Sequence, residues 1–446
     1  MRTVLTVIAF AFVTGGLAAQ PTPPAPPLPP PAPLPRGQVV ASPLPPAAGE
    51  LPLPGGREVS QPLQPVGPAA AETPLPAPVP PTPAVVLPPV KSIPPERPHG
   101  PLGPAWNDIQ FLSWWPERAP VPPLVFGTTS GQPPAPGQFD TRLLAGGHAF
   151  ASQPSAGGRF TLGFAVDRDE TLGLEATYFF LGSRKSGEYV QNSGTESFGI
   201  PYTNAVTGAG EILTLAQPGV ANSIFSATSS VRVQGWEVNG IANLMDEKYL
   251  KLNAIVGWRY LQVNEGLQLD QTQLSGGGAA RTIDQFNTQN RFNGGQLGLH
   301  ADVRRGLVFC EMTAKVAFGQ NYEVVNNDGA TVLQTSATRV FGNSGLYVQP
   351  SNAGRTANGV FAVVPEGTIK FGFRVGESGR LYVGYSIIYM SDAVRPGDQI
   401  DRTLNPMQVP LVSGTAPMAG ADRPARLFNR SDFWTQGLIV GLETRF

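Results

Sequence analysis

The sequence predicts an all-β protein, an antiparallel transmembrane β-barrel of about ten strands with twelve as the alternative, preceded by a disordered proline-rich segment. Three observations predict it. Oily and polar residues alternate in one segment after another of the second part of the chain, the aromatics of the oily face stand at a common distance from short turns, and an export signal lies in front. Alternation alone fits a soluble sandwich equally well, because successive strand side chains point to opposite faces in either case. A sandwich gives no reason for its outward aromatics to form a girdle.

Residues 1–19 read as a cleaved secretory signal: Met1 and Arg2, an apolar run from Val4 to Leu17, then small residues before Gln20. No other segment approaches the roughly 18 apolar residues that a spanning helix needs, so membrane residence would come from strands. Residues 20–104 form the expected periplasmic tether, since residues 21–104 hold 31 of the 48 prolines and no aromatic. Such a stretch lacks donors and large side chains, and should be extended and partly polyproline II. The barrel is expected over residues 105–446. A net charge of -1 gives no basic footprint for nucleic acid, and the single cysteine, Cys310, excludes an internal disulfide.

Four hairpins follow from the period-two pattern. In the first, Phe160, Leu162, Phe164 and Val166 precede a turn at 168–170, and Leu172, Leu174, Ala176, Tyr178 and Phe180 follow it. The second runs from about Val231 to Leu244 and returns from Tyr249 to Leu261; the third runs from Arg291 to Arg304 and returns to Gly319; the fourth runs from Thr368 to Val375 and returns from Arg380 to Met390. The closing strand, 433–446, puts Trp434, Leu438, Val440, Leu442 and Phe446 on its oily face. That makes nine strands, and single-chain bacterial barrels are usually even. The best candidate for the tenth is Trp106–Trp115, read as Ile109, Phe111 and Trp115 alternating imperfectly with Asn107, Gln110 and Ser113; the second candidate is Asp140–Phe150.

Between the hairpins lie four polar stretches, 182–229, 262–290, 320–365 and 391–431, expected as long extracellular loops opposite short periplasmic turns. Measured from those turns, Tyr178, Phe180, Trp236, Trp258, Tyr260, Tyr389 and Trp434 share one height and form the expected outer aromatic belt.

The blocks Gly157-Gly-Arg-Phe-Thr-Leu-Gly-Phe, Thr171-Leu-Gly-Leu-Glu-Ala-Thr-Tyr-Phe-Phe-Leu181, Asp401-Arg-Thr-Leu-Asn-Pro406 and Phe433-Trp-Thr-Gln-Gly-Leu resemble a family of planctomycete-type outer-membrane β-barrel proteins. The resemblance runs from about Phe111 to the end. It implies location and fold, and it implies no catalytic residue. Leu438, Val440, Leu442 and Phe446 also resemble the C-terminal signal read by the outer-membrane assembly machinery, with Thr444 breaking the apolar row.

The inward faces carry Arg159, Lys251, Arg259, Lys315, Lys370, Arg374, Arg380 and Arg445 against Asp167, Glu175, Glu237, Asp302, Glu311 and Glu443. Signs nearly balance, and a ten-stranded lumen is only slightly wider than one that side chains fill. The charges are therefore expected to pair as a lumen network. A two-residue Arg305-Gly306 turn would set Glu311 opposite His300, with Asp302 beside it; a histidine between carboxylates can serve as a base, yet no nucleophile is placed near it, and a structural role is preferred. His99 and His148 make no metal cluster, and neither a phosphate loop nor a nucleophile elbow occurs. No catalytic, cofactor or metal site is expected. The reading is an outer-membrane barrel with its tether and C-terminus in the periplasm, a largely plugged lumen and a structural or surface-interaction role; a narrow channel for ions or small solutes is the alternative, and an enzyme comes third. Its expected partners are outer-membrane lipid, the assembly machinery and, through the tether, the cell wall.

Overall fold

The computed structural model describes residues 104–446 except 136, 152, 193–194 and 410–419. The expected signal, nearly all of the tether, and His99 lie outside the described residues. Sixteen strands are present among them: β1 (Ala105–Pro116), β2 (Pro123–Thr128), β3 (Arg142–Gly146), β4 (Ser155–Ala165), β5 (Leu172–Gln191), β6 (Ser197–Asn204), β7 (Gly210–Ala216), β8 (Ala221–Asp246), β9 (Leu250–Ser275), β10 (Gly278–Arg305), β11 (Val308–Thr335), β12 (Arg339–Gly342), β13 (Gly354–Val375), β14 (Gly379–Val394), β15 (Thr403–Leu404) and β16 (Arg430–Arg445).

Ten of them close a ring in the order β10-β9-β8-β5-β4-β1-β16-β14-β13-β11, sealed by the β10–β11 pairing. Every pairing in the ring is antiparallel. Closure leaves no long unpaired edge, which is how strands satisfy their backbone groups where water is absent. β1 is the tenth strand expected from Trp106–Trp115, and it joins β4 to β16. Its faces differ from the expected ones: Asp108, Gln110, Leu112 and Trp114 are buried inside, whereas Ile109, Phe111, Ser113 and Trp115 lie outside. Asn107 and Ser113 therefore share the oily face; the inward set was masked by two large apolar residues.

The ring has a short-turn end and a long-strand end. At the first, turns such as Gly306-Leu307 join neighbours, with Gly306 at φ 63°, a left-handed value that favours glycine. Asp167, expected on the inward face, instead caps such a turn. It accepts the Thr171 hydroxyl and the Leu172 N–H, and these bonds hold its carboxyl below the usual range.

Toward the other end, β8 to β11 run for 26 to 28 residues each. Most of the expected loops 182–229, 262–290 and 320–365 are thus continuous strand or belong to a second, five-stranded sheet. That sheet, β15-β6-β2-β3 with β7 on β6, contains the Asp140–Phe150 candidate as β3. Its Leu124, Phe198 and Ile200 pack on inward Phe225, Leu267 and Phe286 of the long strands and on Leu346 and Tyr347, forming one buried cluster at this end. Asp284 of β10 fixes the 344–349 segment there by accepting the backbone N–H groups of Leu346, Tyr347 and Val348 at 3.1, 3.1 and 2.8 Å.

Candidate functional site

The outer surface near the short turns is an apolar band. Phe111, Leu162, Val256, Leu297, Phe371, Val383 and Leu438 are each more than half exposed, a pattern that water does not favour and hydrocarbon does. The expected belt residues bound this band and meet in register: Tyr178 lies opposite Trp236, Trp236 opposite Tyr260, and Tyr389 opposite Trp434. The Trp236 and Tyr260 rings stack with centroids 5.9 Å apart, and Phe180 stacks on Tyr178 at 6.2 Å; Trp258, two residues lower than Tyr260, is half exposed. Val440, Leu442 and Phe446 share the outer face with Leu438.

Inside, the barrel is tiered. At the short-turn end Arg380 donates to Glu311 (2.7 Å) and Asp302 (3.2 Å), Lys370 to Asp108 (2.9 Å), and Arg445 to Glu443 (2.8 Å). One step further in, Arg159 donates to Glu366 at 3.0 Å, while Arg259 pairs with both Glu237 and Glu366 and Lys315 with the same two carboxylates. Strong pairing is needed because an isolated charge here would lose its hydration without return. Lys251 sits at the rim, 3.0 Å from Glu170 and 3.5 Å from Asp246. Glu175 lines the same cavity, of about 170 Å3, together with Trp106, His300 and Thr313.

Two expected members are placed differently from the expectation. Arg374 lies opposite Arg380 in register but is exposed near the turn. His300 faces Thr313, whose hydroxyl is 3.0 Å from Nδ1, and Glu311 faces Asp302. The register differs from the expected one because the turn residues are Gly306 and Leu307, which shifts the partner of His300 by two. Among the described residues the ring's hydrogen-bond partner is this hydroxyl and not a carboxylate, which is not the arrangement of an acid-supported base. Among the described residues no group of His, Cys, Asp and Glu side chains is arranged to hold a metal.

Glu366, Asp108 and Tyr382 were missed. Glu366 follows Pro365, which reads as a strand breaker; β13 pairs only with β11 at Pro365 and gains β14 from Glu366 onward, so the proline occupies a locally unpaired side. Tyr382, buried, donates to Asp108, and its aromatic side chain among oily neighbours gave no signal of facing inward.

Above the charges is an apolar tier: Leu112, Trp114, Leu261, Val263, Phe292, Met390 and Phe433 are each no more than 1% exposed. Arg159 marks the boundary, its guanidinium 5.2 Å from the Trp114 ring centroid and 5.4 Å from that of Phe179. Beyond this tier, buried Arg395 pairs with Glu265 and donates to the Asp432 carbonyl at 2.7 Å. Asn290 exchanges two hydrogen bonds of 2.9 Å with the backbone of Val394. These contacts tie the chain leaving β14 across the interior.

Among solved structures, the chain is similar to the outer membrane protease OmpT from Escherichia coli (8% identity over 77% of this chain and 97% of that one, TM-score 0.40). It is also similar to a Pseudomonas aeruginosa FadL homologue (7%, 77% and 90%, TM-score 0.21) and to the P. putida toluene transporter TodX (8%, 77% and 89%, TM-score 0.18). Likenesses at this level carry nothing about activity. No curated protein matches the chain by sequence. Residues 106–446 match the family model described as "Putative beta barrel porin-7 (BBP7)", and with a closed ten-strand ring, an apolar band and an aromatic belt over that span, the chain belongs to this family of outer-membrane β-barrels.

Proposed function

We propose that this outer-membrane barrel is sealed, and that it serves as a structural or surface-interaction protein presenting its long-strand end to the exterior. The observation that carries the reading is the stacking of a tier of ion-paired side chains beneath a fully buried apolar tier centred on Trp114, Phe292 and Phe433. A solute entering at the short-turn end meets paired charges first. It then meets side chains with no exposed surface, which a hydrated ion crosses only by shedding water.

The short turns face the periplasm in this reading, and the long strands with their second sheet face outward, following the asymmetry usual for such barrels. The tether, the C-terminus and any cell-wall contact then lie on the periplasmic side. A narrow channel is the second reading, favoured by the 170 Å3 cavity that opens into the charged tier. Catalysis is weaker, because His300 has a hydroxyl and no carboxylate as its hydrogen-bonding partner. Liposome swelling tests the choice: proteoliposomes should swell in small sugars and amino acids no faster than protein-free vesicles. Solute-size-dependent swelling would favour the channel.

A further inference from the structure

Directly above the aromatic belt, the outer face of β8 to β11 changes chemistry. Gln234, Gln262, Arg291 and Tyr322 stand in one cross-strand row, and Arg232, Asn264 and Gln289 stand in the next. The carboxamides bond to one another: Gln234 Nε2 donates to Gln262 Oε1 at 2.9 Å, Gln262 Nε2 to Asn264 Oδ1 at 3.1 Å, and Gln289 Nε2 to the same oxygen at 3.0 Å. The Tyr260 hydroxyl, at the belt, joins them through Gln262 at 3.0 Å.

Two cations stand in these rows without a counter-ion. Arg291 donates to Gln289 and lies 5.9 Å from the Tyr322 ring centroid, and Arg232 is exposed. Among the described residues neither has a carboxylate within salt-bridge distance, in contrast to the paired cations of the interior. With strands about 4.8 Å apart and a rise of about 3.3 Å per residue, the two guanidinium-bearing positions, two strands and one row apart on β8 and β10, are separated by roughly 12 Å. A shallow groove runs from the Arg232 row to the row beyond it, lined by Arg232, Asn264, Gln289, Ser230 and Asn287, with Arg291 one row below, beside Gln289. Its floor is open because Gly266 has no side chain; a Cβ there would meet Ser230 Oγ and Asn287 Oδ1 at 3.0 Å.

We propose that this groove binds the phosphorylated saccharide headgroup of a glycolipid in the surrounding leaflet. Unpaired guanidinium groups recognise phosphate, the carboxamides offer donors and acceptors to sugar hydroxyls, and the position just beyond the belt is the depth at which headgroups begin. Neither an apolar chain nor an uncharged surface accounts for both arginines.

The proposal rests on the outward orientation of the long-strand end, and the two fail separately, because binding in micelles does not depend on the direction of insertion. Full-length protein in detergent is titrated with lipopolysaccharide, dephosphorylated lipopolysaccharide, phosphatidylglycerol and a soluble phosphorylated oligosaccharide. Lipopolysaccharide should bind best, and Arg232→Gln with Arg291→Gln should weaken it at least about tenfold. Gly266→Leu, which fills the groove and keeps both charges, should also weaken it, with heat-modifiable migration confirming that every variant is folded. Equal binding by wild type and folded variants, equal binding of phosphatidylglycerol, or preference for the soluble oligosaccharide would overturn the proposal.

Discussion

Arg159 on β4 donates to Glu366 on β13 at 3.0 Å, although the two strands are four places apart around the ten-strand ring. With strands about 4.8 Å apart and tilted near 40°, such a ring is roughly 20 Å across between backbones, so the pair meets close to the axis. Glu366 also receives Arg259 and Lys315. It is the carboxylate on which three separate strands converge.

Removing that charge should therefore cost more than removing one at the rim. Glu366→Gln leaves Arg159 without its carboxylate and Arg259 and Lys315 with Glu237 alone, and should destabilise the barrel by about 3–5 kcal/mol. Lys251→Gln, at a wetter site between Glu170 and Asp246, should cost about 0–1 kcal/mol. Unfolding followed by loss of heat-modifiable migration compares the two, and equal stability would show that Glu366 does not organise the tier.

The faces of the closing strand make opposite demands. Val440→Arg puts a cation on the apolar band and should impair assembly by about 2–4 kcal/mol if it sits near the midplane. Glu443→Gln, inside and 2.8 Å from Arg445, should assemble far better. Surface yield of folded protein measures both. Normal assembly of Val440→Arg with failure of Glu443→Gln would reverse the assignment of faces.

The long-strand end depends on Asp284. Asp284→Ala strands the N–H groups of Leu346, Tyr347 and Val348 in a buried place, each worth about 1–3 kcal/mol, so the 344–349 segment should detach while the barrel stays folded. Limited proteolysis should then cut near that segment and spare the ring. Unchanged protection would mean that the surrounding apolar cluster holds it without Asp284.

Orientation has its own test in a Cys310→Ala background. Cysteines at Asn222, Gly276 and Asn343, all exposed at the long-strand end, should react with an impermeant reagent on whole cells. Those at Asp169, Glu247 and Ser378, exposed at the short turns, should not. The reverse pattern would invert the barrel.

The strand count, the belt and most lumen charges were legible because, within the apolar band, outward oily residues alternate with inward polar ones. Beyond the belt the phase inverts. Phe225, Leu267 and Phe286 point inward there, and Ser230, Gln268 and Gln285 point outward, as in a soluble sheet. A reader following the membrane phase sees that inversion as the end of a strand, which is why long stretches of β8 to β11 resemble loops. The apolar tier was hidden for the same reason: Leu112, Trp114 and Phe179 lie on the face expected to be polar. The second sheet left less trace, since its five strands are short and none repeats the hairpin spacing.

Single-channel recording in planar bilayers tests the sealed interior most directly, with wild type compared against a Trp114→Ala, Phe292→Ala variant that empties the apolar tier. Correctly folded wild type should show no unitary conductance, and the variant discrete openings or raised leakage. Stable, ohmic steps from folded wild-type protein at low voltage would contradict the sealed interior.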